Sequence, residues 1–231
     1  IEDGAVLDGG FGLSKIGDDY YYTFRFRPEI AVGNFGAGLD LNLEFDQDGN
    51  LRTENFLTTS DYLSIIRYLR WGRKHDPIYA RVGALDYATL GYGNIMYLYN
   101  NSPSLDARTI GIVLDVDMDT WGIETGYANL AQAGVLGLRG YVRPLKFTSL
   151  GAITVIGGAT IGLSYVTDVD DKAGYVDGYY DYTAEEFIPT DNRGNIQISS
   201  VDFGLPIFKT SVTSLELYYA YTQILDFGSG S

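Results

Sequence analysis

Ala37-Gly38-Leu39-Asp40-Leu41-Asn42-Leu43-Glu44-Phe45 alternates apolar and hydrophilic residues one for one. A β-strand turns successive side chains to opposite faces, so Ala37, Leu39, Leu41, Leu43 and Phe45 share one face. Gly38, Asp40, Asn42 and Glu44 share the other. Asp46-Gln47-Asp48-Gly49-Asn50 then supplies turn chemistry. A strand with one apolar face and one charged face implies two environments, hydrocarbon on one side and water on the other.

The same period recurs outward from this stretch. In Tyr20–Val32 the even positions Tyr20, Tyr22, Phe24, Phe26, Ile30 and Val32 oppose Thr23, Arg25, Arg27 and Glu29, and Pro28 predicts a bend or strand end. Ser60–Lys74 reads either as a helix capped by Ser60 or Asp61, or as a strand from Ile65 to Gly72. The strand is preferred because Ile78, Ala80, Val82 and Ala84 then alternate with Tyr79 and Arg81. Thr109–Met118 and Trp121–Tyr127 flank Asp119-Thr120 as a hairpin, with Asp115, Asp117 and Glu124 on the polar side. Val135–Val142 sets Leu136, Leu138 and Val142 against Arg139, Tyr141 and Arg143. Ile153–Tyr165 reads as one strand with a bend or bulge at Gly157-Gly158. Ile196–Phe208 and Ser214–Leu225 end the series, which amounts to ten to twelve strands of about ten residues or more.

Thr167–Asn195 is the longest irregular stretch. It carries Asp168, Asp170, Asp171, Asp177, Asp181, Glu185, Glu186 and Asp191 together with Tyr175, Tyr179, Tyr180 and Tyr182. A loop of that length is unusual inside a compact soluble domain and ordinary on one rim of a membrane barrel. Its acid spacing fits no EF-hand, and Asp46–Asn50 holds only a fragment of that pattern, so both read as metal-free solvated loops.

The composition sets further bounds. A chain of 231 residues accommodates one all-β domain, and 45% apolar residues exclude disorder. Twenty tyrosines suit a membrane–water boundary, although Tyr is also a good strand former. A net charge of −14 argues against sequence-independent nucleic-acid binding and against docking on an anionic membrane surface. It does not argue against spanning a membrane. There is no cysteine, hence no disulfide and no thiolate metal site. No run of eighteen apolar residues predicts a transmembrane helix. Ile1-Glu2-Asp3-Gly4 reads as the start of a mature chain after export.

Enzyme chemistry finds little to work with. The single histidine, His75, sits between Lys74 and Asp76 in a predicted turn, where a solvated role is expected. Cys–His pairs and His-rich zinc sites are unavailable, and no serine stands in a nucleophile elbow. Gly91-Tyr92-Gly93 lacks the strand–loop–helix setting and the lysine of a phosphate cradle. Carboxylate pairs such as Asp115 and Asp117 alternate with apolar residues and read as lining rather than as glycosidase acids.

The alternating strands, short turns, single long loop and aromatic strand ends resemble bacterial outer-membrane β-barrel proteins of porin-like type. The resemblance is one of pattern and carries no motif. It implies an antiparallel transmembrane β-barrel of about 10–12 strands over residues 1–231, in the outer membrane of a Gram-negative-type bacterium. The lumen-lining set expected is Arg25, Arg27, Asp40, Glu44, Arg81, Asp115, Asp117, Glu124, Arg139 and Arg143. Such barrels end on an aromatic residue. Here Phe227 is followed by Gly228-Ser229-Gly230-Ser231, which reads as missing final strands or an added tail.

The function expected is a narrow channel or a structural barrel, without catalysis, cofactor or metal. Its partners would be the lipid bilayer and small solutes or a partner protein, with no nucleic acid. A second reading is a soluble or surface β-sandwich that recognises a glycan or protein through tyrosine-rich loops. A third is a barrel enzyme acting on lipid through His75. The direction in which Leu39, Leu41 and Leu43 point separates the first two.

Overall fold

In the computed structural model, which describes residues 3–57, 65–102, 109–153, 155–170, 178–189, 194–210 and 212–227, the alternation becomes one antiparallel meander. Its strands are β1 (Gly4–Ile16), β2 (Asp19–Val32), β3 (Phe35–Leu39), β4 (Leu41–Phe45), β5 (Ile66–Trp71), β6 (Ile78–Gly83), β7 (Gly111–Asp117), β8 (Trp121–Tyr127), β9 (Val135–Val142) and β10 (Thr160–Asp168). A small hairpin follows, β11 (Gly178–Asp181) and β12 (Glu186–Pro189), and then β13 (Ile196–Lys209) and β14 (Ser214–Phe227). The sheet order is β1-β2-β3-β5-β6-β7-β8-β9-β10-β13-β14, with β4 also on β2. Strands adjacent in the sheet follow one another along the chain, apart from β4, which continues the row of β3 along β2, and the β11–β12 excursion, as short connections favour. The sheet does not close on itself: among the described residues β1 and β14 are its two edges.

Local chemistry explains the joints. β1 turns into β2 through Gly17-Asp18 and β2 into β3 through Gly33-Asn34, with both glycines at left-handed φ (+63° and +58°), where a side chain would be strained. Pro28 does not end its strand. β2 runs through it and pairs along its whole length with β1. The break falls in the neighbour instead. Proline has no N–H to give, so the ladder lapses between β3 and β4, although the register is the same on both sides: Glu29 opposes Gly38 and Phe26 opposes Leu41. On the other side of the break, the Asp40 amide donates to the Ile65 carbonyl (2.8 Å). A bulge where β3 meets β5 leaves Arg67 as the extra residue between Tyr68 and Ile66.

Three expectations are revised. Ile153–Tyr165 is not one strand. Short 3₁₀ turns at Ser149–Ala152 and Ile156–Gly158 precede β10, because Gly157 packs against the backbone of Gly151, where a Cβ has no room. Strands longer than ten residues are confined to β1, β2, β13 and β14. β5 to β9 hold six to eight residues, as the chain leaves the ladder for longer connections. The acidic stretch is not wholly irregular, since β10 continues to Asp168 and β11 pairs with β12, exposing Tyr179, Tyr180 and Tyr182. Asp171, Tyr175, Asp177 and Asp191 of that stretch, and Ser60 and Asp61 of the alternative helix, lie outside the described residues. The strand reading from Ile65 agrees with β5. β1 has no counterpart among the sequence expectations.

Burial runs opposite to that of a water-soluble domain. The buried residues include many polar and charged ones, among them Asp40, Glu44, Asp115, Glu124, Arg139, Ser164, Ser200 and Asp202, the last only 1% exposed. Large apolar side chains on the opposite faces stand in solvent: Phe24, Phe26, Leu114, Ile123, Leu138, Leu163, Phe203 and Tyr219 are all exposed. Among the described residues the buried apolar cluster, Leu90, Met96 and Val166, is small.

The turn after β4 is held by its first residue. The Asp46 carboxylate accepts from the amides of Asp48 (2.9 Å) and Asn50 (2.8 Å) and from the Asn50 side chain. These bonds, with Asn50 first, hold its pKa below the usual carboxylate value. A folded-state pKa below the unfolded one contributes stability above the unfolded value, and that stability is lost as pH falls through the folded value. Amide exchange at Asp48 and Asn50 should therefore lose protection on acidification below about pH 4. In Asp46→Ala, that pH-dependent loss should be gone.

Candidate functional site

The period of two carries every charge of the expected set to the buried face, and pairing across strands brings opposite signs together. Arg25 and Arg27 both reach Asp40, at 2.7 Å and 3.1 Å. Glu44 accepts from Arg52 at 2.9 Å and from Asn42 at 3.2 Å. Arg81 lies over the Tyr68 ring, 3.9 Å from its centroid, and donates to Asp86 at 3.1 Å. Asp115 faces Lys74 at 3.4 Å and takes the Thr125 amide at 3.1 Å. Asp117 receives both terminal nitrogens of Arg143, at 2.6 and 2.8 Å. A planar guanidinium matched to a carboxylate in this way is a directional, charge-assisted contact.

The most enclosed group joins three strands. Arg139 on β9 makes a two-point contact with Asp202 on β13, Nε to Oδ2 at 3.0 Å and Nη2 to Oδ1 at 2.6 Å. Glu124 on β8 stands 3.6 Å from the same guanidinium. β10 lies between β9 and β13, and it presents Gly162 at the crossing point. A Cβ there would collide with both the Arg139 guanidinium and the Asp202 carboxylate. The glycine is the gap through which the pair meets.

The chain between β6 and β7 folds back onto this face. Its base is tied by Asn101, whose side chain accepts from the Leu85 amide (2.8 Å) and donates to the Ala128 carbonyl (2.7 Å). Ala88 and Tyr99 bridge as in a small hairpin, and Leu90 and Met96 seat against Val166. They fit over Gly137, where a Cβ would strike both. At the tip the Gly91 amide donates to Glu124 (2.6 Å). The Tyr92 hydroxyl bonds Thr160 (2.9 Å) and donates to Glu216 on β14 (2.5 Å), and its ring stacks on Tyr218 at 4.8 Å. Asn94 donates to Ser200 and, at 3.3 Å, to Thr222. Tyr92 lies over Gly204, where a Cβ would collide with its ring and hydroxyl. The loop thus crosses the polar face from β6 to the β14 edge. Beside its tip remains a cleft of about 510 Å³ lined by Tyr92, Arg139, Tyr141, Arg143 and Glu216, with exposed His75 at its border.

All ten expected residues therefore lie on one face, and their ion pairs form five separate groups rather than one centre. Sequence reading missed Asp202, although Ser200, Asp202 and Gly204 alternate with Val201, Phe203 and Leu205 and carry the same signal. Arg67 was illegible because the bulge shifts its parity. It pairs with Asp86 (2.6 Å) and Glu29 (2.9 Å) on the polar face. Gly91-Tyr92-Gly93, read only as a failed phosphate cradle, is the loop tip. Among the described residues no group of three or more His, Cys, Asp or Glu side chains is placed to hold a metal ion. Comparison with protein-family models, with curated proteins and with solved structures finds no match for this chain.

Removing one partner of a buried ion pair leaves a charge with no compensation, at a cost of about 3 kcal/mol or more. Arg139→Met should lower unfolding stability by that order in a denaturant titration. Arg139→Met combined with Asp202→Leu should recover most of the loss.

Proposed function

We propose that this chain is an outer-membrane β-barrel of a Gram-negative-type bacterium, forming a narrow, mixed-charge channel for small hydrophilic solutes. The observation that carries the reading is the inverted burial: charged side chains inside and paired, apolar side chains outside on strand after strand. In water such a surface is a large association liability, whereas in a bilayer it is the required one. No helix among the described residues is long and apolar enough to cross a membrane. A sandwich would need a second sheet packed on the apolar faces. The only other sheet among the described residues is the two-stranded β11–β12 hairpin.

The loop from Ala84 to Asn101 acts as the constriction. Solute passing along the polar face meets Tyr92, Asn94 and the Arg139–Glu124 pair. With both signs of charge paired close to the path, the channel favours small neutral or zwitterionic solutes over strongly charged ones. No catalytic step, metal or cofactor enters the reading.

Purification without detergent decides the solvent question. The chain is expected to aggregate in water and to become monomeric in detergent micelles or on insertion into liposomes. A stable monomer in plain buffer would overturn the membrane assignment. In planar bilayers, Tyr92→Ala with Asn94→Ala releases the loop tip and should raise single-channel conductance about twofold. An unchanged conductance would show that the loop is not the constriction.

A further inference from the structure

The cleft beside the loop tip carries an uneven charge. Its volume of about 510 Å³ is within the range that holds small molecules. Arg139 and Arg143 line it, and both are already matched. Arg139 is answered by Asp202 and Glu124, and Arg143 by its two-point contact with Asp117. Lys74, close behind, is held between Asp115 and Glu124. Glu216 on the β14 wall has no such match. Its Oε1 accepts from the Tyr92 hydroxyl. Among the described residues its Oε2 takes no hydrogen bond and no cation pairs with the carboxylate. Three positive groups, Lys74, Arg139 and Arg143, therefore stand against five negative ones, Asp115, Asp117, Glu124, Asp202 and Glu216. A positive charge brought to Glu216 reduces that surplus, and an anion enlarges it.

The wall around Glu216 is largely apolar. Pro206 lies opposite it in the β13–β14 register, and Val155 and Phe208 line the same cleft. Gly158 keeps the approach to Pro206 open, because a Cβ there would stand 2.8 Å from the proline ring. One further acceptor is present. The Tyr92 hydroxyl gives its proton to Glu216, so the hydroxyl of Thr160 must donate to the Tyr92 oxygen, and its own lone pairs stay open. Two acceptors beside a hydrocarbon wall suit an ammonium group on an alkyl body. A hard metal ion is poorly served, since calcium and magnesium take about six or more oxygens. Among the described residues no group of three or more acidic, His or Cys side chains is placed to supply them.

We infer that this cleft is a binding site for a small organic cation. A primary ammonium is held by Glu216 and Thr160, and a short alkyl body lies against Pro206, Val155 and Phe208. The inference deepens the channel reading and rests on it for its setting: the cation lodges beside the path that neutral and zwitterionic solutes take.

The test is a titration of the full chain in detergent micelles, following the amide resonances of Gly158, Thr160 and Glu216. The probes are butylammonium chloride, 1-butanol and sodium butyrate. Butylammonium should bind saturably, with a dissociation constant about fivefold below that of 1-butanol, the scale of an exposed ion pair. Butyrate should show no saturable binding. Glu216→Gln keeps an oxygen for the Tyr92 hydroxyl, and should bring butylammonium to the level of 1-butanol while leaving 1-butanol unchanged. Glu185→Gln, in the turn of the β11–β12 hairpin, should change neither. Butylammonium affinity that survives Glu216→Gln would overturn the proposal. So would an equal loss in Glu185→Gln, or displacement of butylammonium by an equal concentration of magnesium chloride, since either marks a general acidic field. Conductance in planar bilayers is read separately. Glu216-dependent binding by a chain that conducts nothing would leave the site standing and sink the channel. Conductance without Glu216-dependent binding would do the reverse.

Discussion

A guanidinium that lies behind a sheet, away from bulk water, must have its charge answered there. Arg139 imposes this condition on much of the molecule. Its fork reaches Asp202 two strands away and has Glu124 beside it, so β8, β9 and β13 must keep a register that puts these residues level. A slip of one residue on any of them would send a charge to the apolar face and strand its partner. β10, lying between, must then offer a position without a side chain, and Gly162 does so. The ion pair and the glycine specify register more sharply than the apolar residues can, since most of the large apolar side chains point outward and are exposed.

Much of this was legible in the sequence because a period of two survives any tertiary context. The alternation at Ala37–Phe45, Thr109–Met118 and Val135–Val142 gave the strands and the polar face, and all ten expected charges stand on it. Legibility failed wherever the backbone departs from strict alternation. Arg67 changes face at a bulge. Pro28 acts on its neighbour's ladder rather than on its own strand. Gly157-Gly158 belongs to a turn whose tight packing no local pattern announces. The loop tip was opaque for another reason. Tyr92 and Asn94 owe their positions to residues more than a hundred places later in the chain, and single-sequence periodicity holds no record of such contacts.

The distribution of glycine ties these levels together. On the polar face Gly137, Gly162 and Gly204 lie under Leu90 and Met96, the Arg139–Asp202 pair and Tyr92 respectively. Each marks the spot where a side chain from another element lies across the sheet. A strand interior ordinarily loses stability by carrying glycine. Here the loss is offset by contacts that a Cβ would forbid, so the inner surface is shaped as much by absent side chains as by those present.

The contacts of the loop also set an order of assembly. Nearly all the ladder joins strands that are close in sequence, and such hairpins close quickly. The bonds from Tyr92 to Glu216 and from Asn94 to Thr222 span 124 and 128 residues and need β14 already in place. These two bonds can therefore form only after the final hairpin has docked, whereas the contacts of the loop with β8 and β10 do not wait for it. The far end of the loop tip is thus fastened last.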